Sequence, residues 1–234
     1  MFSFHCDHGQ NINLSTNNRV ATRTQSFANA IVFSQRPMEE EEVFMFEITD
    51  NEQGWAGHLR CGITLHNPAH IVVPQYLLPD LYQLGKSCVF SIKPSPEDPF
   101  REQELTERNH RENLPHCRYF DVIKQCSSTH SIHKDLLTNS DFFNVKPCEK
   151  GSRIGFFISL KRQLFFIING VQYGPCADNI PANEDVYAAL DLYGTTSQIR
   201  IINCSGIKYK RFIKQWFNFN FNIIISIIFF ASIE

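Results

Sequence analysis

The 234-residue chain has eight cysteines but no C-x-x-C, and its closest pair, Cys117 and Cys126, stands nine residues apart. A tetrahedral zinc site normally draws two ligands from one tight turn, so zinc-finger and RING arrangements are excluded. Residues 1–30 hold no apolar run of signal-peptide length. That predicts a cytoplasmic chain whose thiols are free and mostly buried. A basic excess is also missing, with 22 Lys and Arg against 24 Asp and Glu, which argues against a nucleic-acid binder held by phosphate contacts. With 11 Gly and 11 Pro, the composition is not of low complexity.

Catalytic signatures are missing as well. G-x-S-x-G, G-x-x-x-x-G-K-[ST], H-E-x-x-H and G-x-G-x-x-G do not occur. His5 and His8, with Cys6 and Asp7 between them, are read as a turn, because no further ligands stand at a metal-site spacing. His116 and Cys117 are sequence neighbours and point in opposite directions on a strand, so the imidazole cannot activate the thiol. No catalytic residue, metal or cofactor is predicted.

What is present is 43% apolar and 13% aromatic, arranged in short runs of β-formers. Strands are predicted at Phe27–Phe33, Val43–Ile48, Leu59–Leu65 and Cys88–Ile92. Within the second run Phe44, Phe46 and Ile48 share one face, and Val43, Met45 and Glu47 the other. Further strands are predicted at Arg153–Leu160, Gln163–Ile168, Val186–Tyr193 and Gln198–Asn203. Lys161-Arg162 reads as a tight hairpin, and Asn169-Gly170 as a type I′ turn. The fold class is all-β, with Ile31, Phe33, Phe44, Phe46, Leu59, Ile63, Phe156, Ile158, Phe165, Ile167, Ala189 and Ile201 in its core.

Two stretches differ from this pattern. Residues 93–115 carry four prolines and an acidic charge run, and read as a long exposed loop insertion. The apolar runs of 116–147 are expected to re-enter the fold. The tail 207–234 is rich in Ile, Phe, Asn and Lys and lacks Leu, Gly, Pro and Val. AT-rich codons specify such a composition, so read-through into non-coding sequence is one reading. A membrane anchor at 216–233, an 18-residue uncharged run, is the other. Neither makes the tail a domain.

Several phrases follow one another in a telling order: His8-Gly9-Gln10-Asn11-Ile12, Ser26-Phe27 leading into Ile31-Val32-Phe33-Ser34 with Arg36-Pro37, and Gly54-Trp55-Ala56-Gly57-His58-Leu59-Arg60-Cys61-Gly62. Ile168-Asn169-Gly170, Gly174-Pro175 and Tyr187-Ala188-Ala189-Leu190-Asp191-Leu192-Tyr193-Gly194 come later. Together they resemble the neuralized homology repeat over about residues 4–203. The resemblance implies an antiparallel β-sandwich related to SPRY domains, non-catalytic itself, that recognises substrates for a cullin–RING ubiquitin ligase. Some family members carry a RING domain, and others instead end in a SOCS box that recruits elongins and a cullin scaffold through a leucine-initiated helix. No leucine follows Leu192 here, so that coupling is expected only where a SOCS box is restored. A stand-alone adaptor and a tail-anchored membrane protein are the alternative readings.

The expected ligand is a protein target, engaged through a peptide or helix segment. Trp and Arg are enriched in interface hot spots, and binding residues concentrate on loops held by a rigid scaffold. The candidate site is therefore Gly54, Trp55, His58 and Arg60, with the Asn169-Gly170 turn and Tyr193.

Overall fold

The computed structural model describes residues 1–93 and 145–202, with the backbone of three short strands at 100–101, 121–122 and 128–130. In chain order the strands are β1 (Ile12–Ser15), β2 (Val20–Arg23), β3 (Ile31–Phe33), β4 (Phe44–Asn51), β5 (Arg60–Thr64), β6 (Ser87–Ile92), β7 (Phe100–Arg101), β8 (Asp121–Val122), β9 (Ser128–His130), β10 (Arg153–Ile158), β11 (Leu164–Ile168), β12 (Val171–Asp178), β13 (Tyr187–Asp191) and β14 (Thr196–Ile202). All pairings among them are antiparallel. The larger sheet runs β1-β2-β14-β4-β10-β11-β12-β8, with β9 also on β12, and the smaller runs β3-β13-β5-β6-β7.

The two sheets meet over one apolar core. Phe44, Phe46 and Ile48 of β4, with Ile154, Phe156 and Ile158 of β10, face Cys61 and Ile63 of β5 and neighbouring Leu59. Period-two alternation therefore assigns the β4 faces as expected, with Val43 and Met45 turned to the opposite side. A row of rings fills the centre. Phe156 lies 5.5 Å from Phe44 and 5.3 Å from Phe166, which in turn lies 5.3 Å from Phe90 of the other sheet.

Both sheets also carry apolar residues on their outer faces. Ile31, Phe33, Val89 and Ala189 pack beneath Leu77 and Leu81 of an irregular turn at Leu77–Leu81. On the larger sheet, Val43, Met45, Phe157 and Ile167 form a third cluster with Phe165 and Ile202. One correction to the predicted core follows. Phe165 is half-buried, while Ile167 is buried within this outer cluster, because in Leu164–Ile168 every residue is apolar and alternation alone cannot choose the inward face. The other predicted core residues are buried.

The Asn169-Gly170 turn has positive φ at both residues, 47° and 84°, as type I′ requires. The hairpin before it is wider than expected. It spans Ser159–Gln163, with Arg162 in the left-handed region at φ 58°. Strand β3 starts at Ile31 rather than Phe27, which leaves Phe27 in a loop. Buried Cys61, Cys88 and Cys148 are free thiols and Cys6 is an exposed one, whereas Cys176 is disulfide-bonded, contrary to the free-thiol expectation. Most of the 93–115 insertion, much of 116–147 and the whole 207–234 tail lie outside the described residues. Within the insertion, Phe100–Arg101 pairs with β6, and further on β8 and β9 pair with β12. No helix among the described residues is long and apolar enough to cross a membrane.

Candidate functional site

Strand registers place the three loops of the candidate site at one end of the sandwich. Thr196 pairs with Asn51 at the end of β4, Arg153 pairs with Glu47, and Ile154 pairs with Ile168 just before the Asn169-Gly170 turn. The Gly54–His58 loop follows β4 at this end, and Tyr193-Gly194 joins β13 to β14 there.

Two loops distant in sequence are pinned together. Thr195 donates its backbone N–H to the Gly57 carbonyl at 3.1 Å, and Glu52 donates its N–H to the Thr195 carbonyl at 2.8 Å. Beneath them the Arg23 side chain is buried. It donates to the Leu192 carbonyl (2.9 Å), the Gly194 carbonyl (2.6 Å) and the Glu52 carboxylate (2.8 Å). The Arg23 guanidinium, and then the Trp55 side-chain hydrogen bond, hold the Glu52 carboxyl below its ordinary range.

On this support stands a cluster of four half-buried aromatics: Phe27, Trp55, Tyr76 and Tyr193. Phe27 is central, with its ring centroid 5.1 Å from Trp55 and 4.7 Å from Tyr193, both edge-to-face. Tyr76 closes the group at 6.2 Å from Tyr193 and 6.4 Å from Phe27. The Arg60 guanidinium lies 3.5 Å over the Tyr193 ring and donates to the Leu78 carbonyl at 2.7 Å. Arg60 is 12% exposed in its side chain, so it underlies the cluster rather than standing out from it. His58 sits beside it, half-buried, with Nδ1 3.3 Å from Thr195 Oγ1, and burial lowers its pKa.

Trp55, His58, Arg60 and Tyr193 are thus brought to one place, with Gly54 exposed in the loop that carries Trp55. Asn169 and Gly170 lie at the same end but in a separate neighbourhood. The Asn169 side chain accepts from the Arg153 N–H (2.8 Å) and donates to the Val145 carbonyl (2.8 Å), tying the turn to the preceding segment. Sequence reading missed Arg23, Phe27, Tyr76 and Asp191 as site residues. Asp191 had a signal, a lone carboxylate within the apolar run of Ala188, Ala189, Leu190 and Leu192.

Asp191 is fully buried, and desolvation pushes its pKa up to about 7 despite the Leu77 N–H and the Arg60 and Arg23 guanidiniums. The folded chain therefore retains a proton that the unfolded chain releases near the ordinary value of 3.8. Stability from this group is present at acid pH and lost as pH rises from about 4 towards 7. Compared with Asp191→Asn, the wild-type melting temperature is expected to fall progressively across that window. Parallel melting profiles for the two proteins would contradict it.

At the N-terminus, ligand atoms of His5, Cys6 and Asp7 lie within 4.8 Å of one another. His5 Nδ1 there accepts the Asp7 N–H at 3.0 Å, while His8 Nδ1 lies 2.9 Å from the Gly9 carbonyl oxygen.

The chain is thus a two-sheet antiparallel sandwich with an aromatic loop cluster at one end. The Neuralized family model matches residues 4–203, and the chain belongs to the Neuralized family. It is 33% identical over 217 residues to human Neuralized-like protein 2, covering 85% of this chain and 76% of that one. Human E3 ubiquitin-protein ligase NEURL3 is 39% identical over 204 residues, covering 86% of this chain and 58% of that protein. The crystal structure of the Drosophila melanogaster neuralized NHR1 domain has the same fold at 20% identity. Its TM-score is 0.60, covering 86% of this chain and 98% of that domain.

Proposed function

We propose that this chain is a cytoplasmic substrate-recognition protein of ubiquitin ligation that engages its target through the Phe27–Trp55–Tyr76–Tyr193 cluster. The observation that carries this reading is the cluster itself. Four aromatic side chains stay half-buried at one sandwich end while the arginines among them are neutralised by Glu52 and Asp191. Aromatic surfaces of this kind supply large contact area at low entropy cost, and such anchors dominate interface energies. The ligase context is supported by relatives named as E3 ubiquitin ligases. The target enters as a peptide or helix segment, with the Asn169-Gly170 turn offering a second, polar contact. Recruitment of an elongin–cullin scaffold is proposed only for a form carrying a SOCS box.

Quantitative ubiquitin-remnant profiling tests this reading in cells that express, at equal abundance, the chain extended by a SOCS box with the wild-type sequence or with Trp55→Ala. A discrete set of sites is expected to gain ubiquitin with the wild type and not with the variant. Identical profiles for the two would contradict the assignment of the site.

A further inference from the structure

We propose that Asp191 is the positioning residue of the aromatic cluster: its buried carboxylate holds Arg60 against Tyr193 and anchors the Leu77–Leu81 turn, so that proton uptake at this carboxyl rearranges the surface. The biological meaning rests on the proposed target-binding role, whereas the link itself is a property of the fold.

Asp191 on β13 is the register partner of Arg60 on β5. Its Oδ2 accepts the Leu77 N–H at 3.0 Å and lies 3.8 Å from Arg60 Nη1, while its Oδ1 has no hydrogen-bond partner among the described residues. One carboxylate thereby ties together the strand under the site, the guanidinium stacked on Tyr193 and the segment that presents Tyr76. A buried carboxylate with an unpartnered oxygen is costly in its charged form. Arg60 from β5 and Arg23 from β2 favour that form, and Asp80 from the covering segment opposes it. Desolvation outweighs them all, which leaves the group balanced between ionised and neutral near neutrality.

Protonation removes the anion facing Arg60 and leaves a mostly buried cation that retains, among the described residues, the Leu78 carbonyl and the Tyr193 ring. Such a charge moves towards water. Its withdrawal takes support from Tyr193, which touches Phe27, which touches Trp55. Trp55 therefore reports on Asp191 through a short chain of ring contacts.

The chain has two tryptophans, so Trp216→Phe leaves Trp55 as the sole emitter in the full-length protein. Its fluorescence is followed over roughly two pH units either side of neutrality. A single transition near pH 7 is expected. Asp191→Asn should abolish it. His58→Gln should leave it in place, which separates it from the neighbouring imidazole. Arg60→Gln should abolish it as well, since the cation that carries the change from the carboxyl to Tyr193 is gone, and this variant decides the matter if Asp191→Asn does not fold. Flat emission, a transition surviving Asp191→Asn or Arg60→Gln, or loss in His58→Gln would overturn the proposal. Binding loss in Trp55→Ala tests the target-site reading separately, so the two can fail independently.

Discussion

Phe156→Ala should destabilise the fold by about 3–5 kcal/mol, measured by urea unfolding of the full chain. Phe156 is fully buried at the centre of β10, in ring contact with Phe44 on one side and Phe166 on the other. Removing its ring forfeits apolar transfer energy and leaves a cavity that neighbours in both flanking strands cannot collapse into without leaving register. Phe165→Ala, the same substitution one strand away, should cost clearly less, since Phe165 is half-buried on the outer face, stacked on Phe157 at 5.4 Å. Equal losses for the two would show that the core has been placed on the wrong face of β11.

Gly194→Ala should remove the site while leaving the sheets formed. Gly194 has φ 61°, where a side chain costs about 1–2 kcal/mol by itself. An added Cβ would also stand 2.1 Å from the Gly57 carbonyl oxygen and 2.8 Å from that of Ala56, both backbone atoms. Something must move, and the Gly54–His58 loop is what stands there. The total loss should be at least about 2 kcal/mol, with the Trp55 emission shifted towards that of exposed indole. The Arg23 bond to the Gly194 carbonyl would be strained in the same step. Native Trp55 emission in Gly194→Ala would contradict the packed arrangement of the two loops.

Much of this fold is legible because local pattern and global packing agree. The alternation in Phe44–Ile48 assigns both faces of β4 correctly, and Asn-Gly fixes a turn whose dihedrals leave few other residues possible. Legibility fails where a run is apolar throughout, as in Leu164–Ile168, where only the neighbouring strands decide which side faces in. It also fails for β1 and β2. Their Asn13, Ser15 and Thr22 give little apolar signal, and pairing to each other and to β14 makes them strands. The site was half visible for the same reason. Trp55 and Arg60 stand in one glycine-rich phrase, whereas Phe27 and Tyr76 reach the cluster from loops whose approach is set by long-range packing.

Affinity of one target peptide for matched variants tests the site most directly. Such a peptide, selected by display against the full wild-type chain, would be measured by calorimetry against Trp55→Ala and against Leu160→Asp. Leu160 is exposed in the turn after Ile158, at the far end of the sandwich, and serves as the control surface. Trp55→Ala, folded by circular dichroism, should bind at least about thirtyfold more weakly, the loss of about 2 kcal/mol that marks a hot spot. Leu160→Asp should bind as the wild type does. Undiminished binding by Trp55→Ala together with loss in Leu160→Asp would place the recognition surface at the other end of the molecule.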